Sequence, residues 1–197
     1  MISMLRRSIL APVLISLLAA CSPGGGSGAS FVNTDITGAS YGKDFRLTDH
    51  TGAARSLADY RGKVVTLFFG YVQCPDVCPT NLLNMVEVMK QLGPDADKVQ
   101  VLFMTIDPER DTQALLAEYV PAFDPRFIGL SGPRVEIDKA IKAWRVYARK
   151  VDGKNGDYTM DHTAGVFLFH PDGRFASIID FHEDRRFAVP KLRRTLS

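Results

Sequence analysis

Apolar residues run along this chain in two rhythms, short unbroken blocks and stripes three or four residues apart, and the two alternate. Val64-Val65-Thr66-Leu67-Phe68-Phe69 is a continuous block rich in β-formers, the pattern of a central strand covered on both faces. After Pro79, which suits the first turn of a helix, Leu82, Met85, Val86, Met89 and Leu92 recur at helical spacing until Gly93-Pro94 stops them. Val99 to Ile106 predicts a second strand, Asp107 to Thr112 punctuates it, and Leu115, Leu116, Tyr119 and Val120 predict a helix. Phe127 to Leu130 reads as a short strand, and Ile137, Ile141, Trp144 and Ala148 as the buried stripe of another helix. Val151 to Tyr158 is a polar excursion containing glycine. Val166 to Phe169 and Phe175 to Phe181 flank His170-Pro171-Asp172-Gly173, a turn sequence, and predict a hairpin, with a final helix after it. Near the start, Phe45 to Thr48 and Arg55 to Leu57 around Asp49-His50-Thr51-Gly52 predict a smaller hairpin.

That order is the order of a thioredoxin-like α/β/α sandwich with an added N-terminal β-hairpin. The predicted domain covers residues 41–197. What precedes it has a different character. Arg6-Arg7, an apolar run from Ile9 to Ala20 and the ending Leu18-Ala19-Ala20-Cys21 have the charged start, apolar middle and small-residue end of an export signal over residues 1–20. The run is shorter than the roughly 20 residues that cross a bilayer. Leu-Ala-Ala-Cys resembles the bacterial lipobox, which implies acylation of Cys21 as the first residue of the mature protein. Ser22 to Ser30, almost all Gly, Ser, Pro and Ala, reads as part of a flexible tether over residues 21–40. The expected location is therefore the cell membrane, lipid-anchored and facing the periplasm, where disulfides persist. Removing the leader takes two of the 24 basic residues and none of the 22 acidic ones, so the net charge falls from +2 to zero. A balanced charge argues against nucleic acid as a partner.

The chemistry gathers at Cys74-Pro75-Asp76-Val77-Cys78-Pro79, where the central strand hands over to its helix, and at Asp161-His162-Thr163 far downstream. Two thiols and an imidazole make a soft site, able to form a disulfide or to hold a metal. A helix N-terminus stabilises a thiolate, and Cys78, next to Pro79, is expected to benefit most. With one residue more between them than in Cys-x-x-Cys, the thiols stand about one helical turn apart and can share a metal.

Phe69-Gly-Tyr-Val-Gln-Cys-Pro-Asp-Val-Cys-Pro79, Thr105-Ile-Asp-Pro-Glu-Arg-Asp-Thr112 and Asp161-His162-Thr163 together resemble the Sco (SenC) family from about Tyr41 to Phe181. Val72 departs from the Thr or Ser more usual there. The resemblance implies a membrane-tethered copper chaperone that helps assemble the copper centre of cytochrome c oxidase, with Cys74, Cys78 and His162 as ligands. It implies as partners the copper-binding subunit of the oxidase, and another periplasmic copper carrier or a thiol reductase. The donor set agrees: two thiolates and a neutral imidazole suit Cu(I), and Cu(II) heads the affinity order at nitrogen and sulfur sites. Structural zinc takes four protein ligands and catalytic zinc leaves a position open for water, so zinc is the lesser reading. Thioredoxin-like oxidoreductases place a cis-proline where this chain has Asp161-His162-Thr163.

Several residues carry two readings. Asp161 either orients the imidazole, assists docking of a partner, or is a solvated loop acid. Met160, two residues before His162, is a core methionine or a transient thioether donor; Met85 and Met89 are core. His50, His170 and His182 lie in or beside turns and read as surface histidines. Asp107, Asp111 and Thr112 read as helix caps, or as structural residues near the site. The basic stretch from Arg185 to Arg194 reads as the wet face of a helix or a docking surface. Three functions compete: a copper chaperone, a thiol–disulfide oxidoreductase using Cys74 and Cys78 as a redox pair, and a thiol peroxidase. The last lacks an evident threonine and arginine beside Cys74. His162 separates the first two, because metal binding requires it and disulfide exchange does not.

Overall fold

The computed structural model describes residue 42 and residues 44–196. The leader over residues 1–20, Cys21 and the tether over residues 21–40 lie outside the described residues. A seven-stranded sheet runs in the order β2-β1-β5-β4-β3-β8-β9. At its centre are β3 (Val64–Gly70) and β4 (Val99–Thr105), parallel and in register from Val64↔Val99 to Gly70↔Thr105, with every residue of both buried. That is why their sequences read as unbroken apolar blocks. β5 (Ile128–Ser131) continues the parallel set beyond β4, and β8 (Val166–Phe169) with β9 (Phe175–Ile179) closes the other side antiparallel. The amino-terminal hairpin, β1 (Leu47–Asp49) and β2 (Ala54–Arg55), adds to the far edge by pairing β1 with β5.

Among the described residues four α-helices cover the sheet: α1 (Val77–Leu92), α2 (Gln113–Tyr119), α3 (Arg134–Ala143) and α4 (Ala188–Leu196). Among the described residues no helix is long and apolar enough to cross a membrane. Strand alternation sends Phe69 and Phe68 to opposite faces. Phe69 meets Trp144 at the end of α3, beside Phe45 and Phe169. Phe68 meets Phe103 and His162. This α/β arrangement is the thioredoxin-like sandwich with an added hairpin that the pattern predicts.

Two stretches depart from expectation. The stripe through Ala148 is not one helix: α3 ends at Ala143, Trp144 caps it, and Arg145 at φ 52 turns the chain back. Ala148 then opens β6 (Ala148–Asp152), which pairs antiparallel with β7 (Tyr158–His162) from Ala148↔His162 to Asp152↔Tyr158. The polar excursion is therefore the heart of a hairpin. Its strands pair with each other and not with the main sheet, so half their side chains face water and no apolar run marks them. In the basic carboxyl-terminal stretch, Lys191 is not on a wet face: it is buried, 2.6 Å from the equally buried Glu183 carboxylate, and donates to the Ile178 carbonyl.

Candidate metal centre

At the end of β3 the chain turns through Tyr71 to Asp76 before α1 begins. A buried carboxylate holds that turn. Asp111 accepts from the Val72 N–H at 3.1 and 3.2 Å and from the Thr105 hydroxyl at 2.6 Å, joining the cysteine turn to the end of β4. Burial pushes Asp111 up to about 6, against the hydrogen bonds it accepts. The capping of α2 falls to Thr112, whose side chain accepts from the Leu115 N–H.

Cys78, in the first turn of α1, has no exposed surface. Its thiol lies against Gly70, where a Cβ would come within 2.8 Å of the sulfur, so the strand must present glycine there. Cys74 is half-buried and its sulfur accepts from the Cys78 N–H at 3.4 Å. The hydrogen bond from the Cys78 side chain, joined by two backbone N–H groups, overcomes burial and holds the Cys74 thiol down at about 3. Burial, and then the neighbouring Cys74, push Cys78 strongly up. The thiolate is thus favoured at Cys74, chiefly by the Cys78 side chain, and not at Cys78 as the spacing suggested. The deeper position of Cys78 outweighs its place on the helix, because removing a charge from water costs more than a helix end returns.

His162 is the last residue of β7. Its Nδ1 lies 2.9 Å from the Thr163 carbonyl oxygen, which can only accept, so Nδ1 is assigned the proton. The Nε2 lone pair then faces Cys78 Sγ at 3.4 Å. Phe68 and Tyr71 meet the imidazole edge-on, each with ring centroids 5.9 Å away. The donors of Cys74, Cys78 and His162 all lie within 4.8 Å of one another. Metal–sulfur and metal–nitrogen bonds of about 2.0–2.3 Å place donors around one ion roughly 3.5–4.5 Å apart, so this group fits a single soft ion. No peptide bond among the described residues is cis, and the histidine stands where an oxidoreductase of this fold would place its cis-proline.

Two contacts position the hairpin that carries His162, and neither was read from the sequence. Asn81 of α1 donates to the Ala164 carbonyl at 3.0 Å. The signal was present, since Asn81 falls on the buried stripe of Cys78, Leu82 and Met85, where an apolar residue is the rule. The second contact is a clamp. Arg110 pairs with Asp107 at 2.5 Å, donates to the Tyr158 carbonyl at 2.9 Å, and lies over the Tyr158 ring at 3.5 Å; the Tyr158 hydroxyl donates to Asp107. Asp107 therefore anchors β7 rather than capping α2.

The other candidates separate cleanly. Asp161 is exposed, meets Arg149 loosely at 3.8 Å and lines the same cleft as His162. The imidazole Nδ1 contact is with the Thr163 carbonyl. Met85 and Met89 are core. His50 accepts from the Gly129 N–H, His170 bonds the Thr195 carbonyl, and His182 is exposed. A cleft of about 540 Å³ opens over the site, lined by Tyr71, Cys74, Pro75, Tyr147, Met160 and His162 among others.

A family model described as SCO1/SenC matches residues 33–197. The mitochondrial SCO2 homolog of Bos taurus is 43% identical over 148 residues, 74% of this chain and 54% of that protein. The mitochondrial SCO1 homolog of Homo sapiens is 41% identical over 140 residues, 68% of this chain and 46% of that protein. The chain thus spans about half the length of these curated relatives. Among solved structures, Bradyrhizobium japonicum ScoI with copper bound is 48% identical with a TM-score of 0.73, covering 79% of this chain and 99% of that one. Yeast Sco1 with copper bound is 34% identical with a TM-score of 0.71, covering 78% and 87%.

Proposed function

This chain belongs to the SCO1/SenC family, and from that premise we propose that it is a copper metallochaperone whose cargo is held by Cys74, Cys78 and His162. The observation that carries this reading is the convergence of three soft donors within 4.8 Å, two of them, Cys74 and His162, lining an open cleft. Relatives of the same fold with copper bound support it. Cys74 arrives as a thiolate, His162 offers Nε2, and Cys78 gives up its proton as the ion enters, so uptake releases a proton and strengthens with pH. Cu(I) is the favoured cargo, with Cu(II) as the second state. Oxidation of the pair to a disulfide sends two electrons to a partner disulfide, whose two sulfurs take their protons from solvent, and removes both sulfur ligands, which releases the ion.

The client is the copper-binding subunit of cytochrome c oxidase, and a periplasmic copper carrier or thiol reductase loads or resets the site. Residues 1–20 are removed, acylated Cys21 anchors the chain in the cell membrane through the tether of residues 21–40, and the domain of residues 41–197 faces the periplasm. Replacing Cys21 by Ser should move the protein from the membrane to the soluble fraction. A second reading, a thiol–disulfide oxidoreductase acting on cysteines of the same partners, has its own support in the low-pKa Cys74 beside a protonated Cys78. Anaerobic titration of the reduced, detergent-solubilised full chain with Cu(I) against a chelator tests the choice. One-to-one binding that weakens sharply in His162→Ala supports the chaperone; weak binding indifferent to that change supports the oxidoreductase.

A further inference from the structure

The three proposed ligands are not equally reachable. Cys74 and His162 line the cleft, whereas Cys78 is fully buried behind them and is absent from its wall. A partner reaching in from solvent meets two of the three donors, and a third soft donor stands beside them. Along β7 burial alternates, so Tyr158, Met160 and His162 face inward while Thr159 and Asp161 face water. Met160 lies two residues before His162 on that inward face and lines the same cleft. Tyr71, whose ring meets the His162 imidazole edge-on, lines the same cleft. Lys150, its cross-strand neighbour in β6, lies over the Tyr158 ring, so its ammonium does not occupy the cleft beside the thioether.

From this placement we propose that Met160 is a transfer ligand, its thioether replacing Cys78 on Cu(I) while the ion passes between the site and the cleft mouth. This rests on the chaperone reading. In the step the Cu–S bond to Cys78 breaks and a Cu–S bond to Met160 forms. Copper remains Cu(I), no electron moves, and the Cys78 thiolate takes a proton from solvent water. The chemistry suits the residue: a thioether is soft enough to bind Cu(I), carries no charge and no proton, and so holds the ion weakly and lets it go. At rest the ion keeps its two thiolates and imidazole, and Met160 adds little to equilibrium affinity.

Copper K-edge absorption on selenomethionine-substituted, reduced full chain tests this, using Cys78→Ser to hold the transfer state. A copper–selenium shell should appear in Cys78→Ser and vanish in Cys78→Ser combined with Met160→Leu. In the otherwise native chain, Met160→Leu should leave the Cu(I) dissociation constant nearly unchanged. It should slow release of Cu(I) to a chelator roughly tenfold, the effect of ~1.4 kcal/mol on a barrier. Absence of the selenium shell, with release as fast as in the native chain, would overturn the proposal while leaving one-to-one copper binding intact. Failure of the native chain to bind Cu(I) would overturn the chaperone reading, and this inference with it.

Discussion

The cysteine turn and the histidine hairpin meet at one site but are built differently. The turn grows out of β3, which is buried on both faces and paired on both edges, and is held from beneath by Asp111. The hairpin is two strands paired only with each other, with half its side chains in water, attached through the Arg110 clamp and the Asn81 contact. Moving Cys78 means breaking the core; moving His162 means loosening a few polar contacts. Local opening costs least where buried apolar contacts are fewest. The site thus combines a fixed pair of thiols with a third donor that can be withdrawn, an arrangement suited to taking up an ion and giving it back.

Breaking the rigid half should have the largest effect. Asp111→Ala leaves the Val72 N–H and the Thr105 hydroxyl without their buried partner. Unfolding in urea should show a loss of about 2–4 kcal/mol, with Cu(I) binding and disulfide exchange both impaired. Breaking the hairpin should divide the two activities. Arg110→Met removes the stack on Tyr158, the bond to its carbonyl and the pairing with buried Asp107, at a cost of about 2–3 kcal/mol. Copper affinity should then fall toward that of His162→Ala while thiol exchange persists. Equal loss of both would mean that the hairpin and the turn form one unit.

A pH profile sharpens the same contrast from the thiol side. With Cys74 held at about 3, alkylation of the reduced protein by a neutral reagent should stay level from about pH 5 to pH 8, where an ordinary thiol near 8.5 would rise steeply. The folded pKa lies below the unfolded one, so the thiolate's contribution to stability is full above the unfolded value. It is lost as pH falls through about 3. The smallest effect belongs to Asp161→Asn. An exposed acid 3.8 Å from Arg149 should change copper affinity by no more than about twofold, as loose surface pairs usually do. A larger change would give Asp161 a part in holding the ion or in docking a partner.

The central strands, α1, both outer hairpins and the three candidate ligands could be read from the residues alone. Continuous apolar runs report burial on both faces, helical stripes report one buried face, and Cys-x-x-x-Cys with a distant histidine reports soft chemistry. These are local properties of the chain. The hairpin of β6 and β7 was hidden, because two strands that pair with each other and face water need no apolar rhythm. Ala148 was drawn into a helical stripe that Arg145 interrupts with a left-handed turn. Which cysteine carries the negative charge, what Asp111 and Arg110 hold, and which oxygen orients His162 were decided only by tertiary structure. Depth and hydrogen-bond partners depend on segments far apart in sequence. Position 78 is a helix terminus along the chain, but a fully buried site once β3, α1 and β7 close around it.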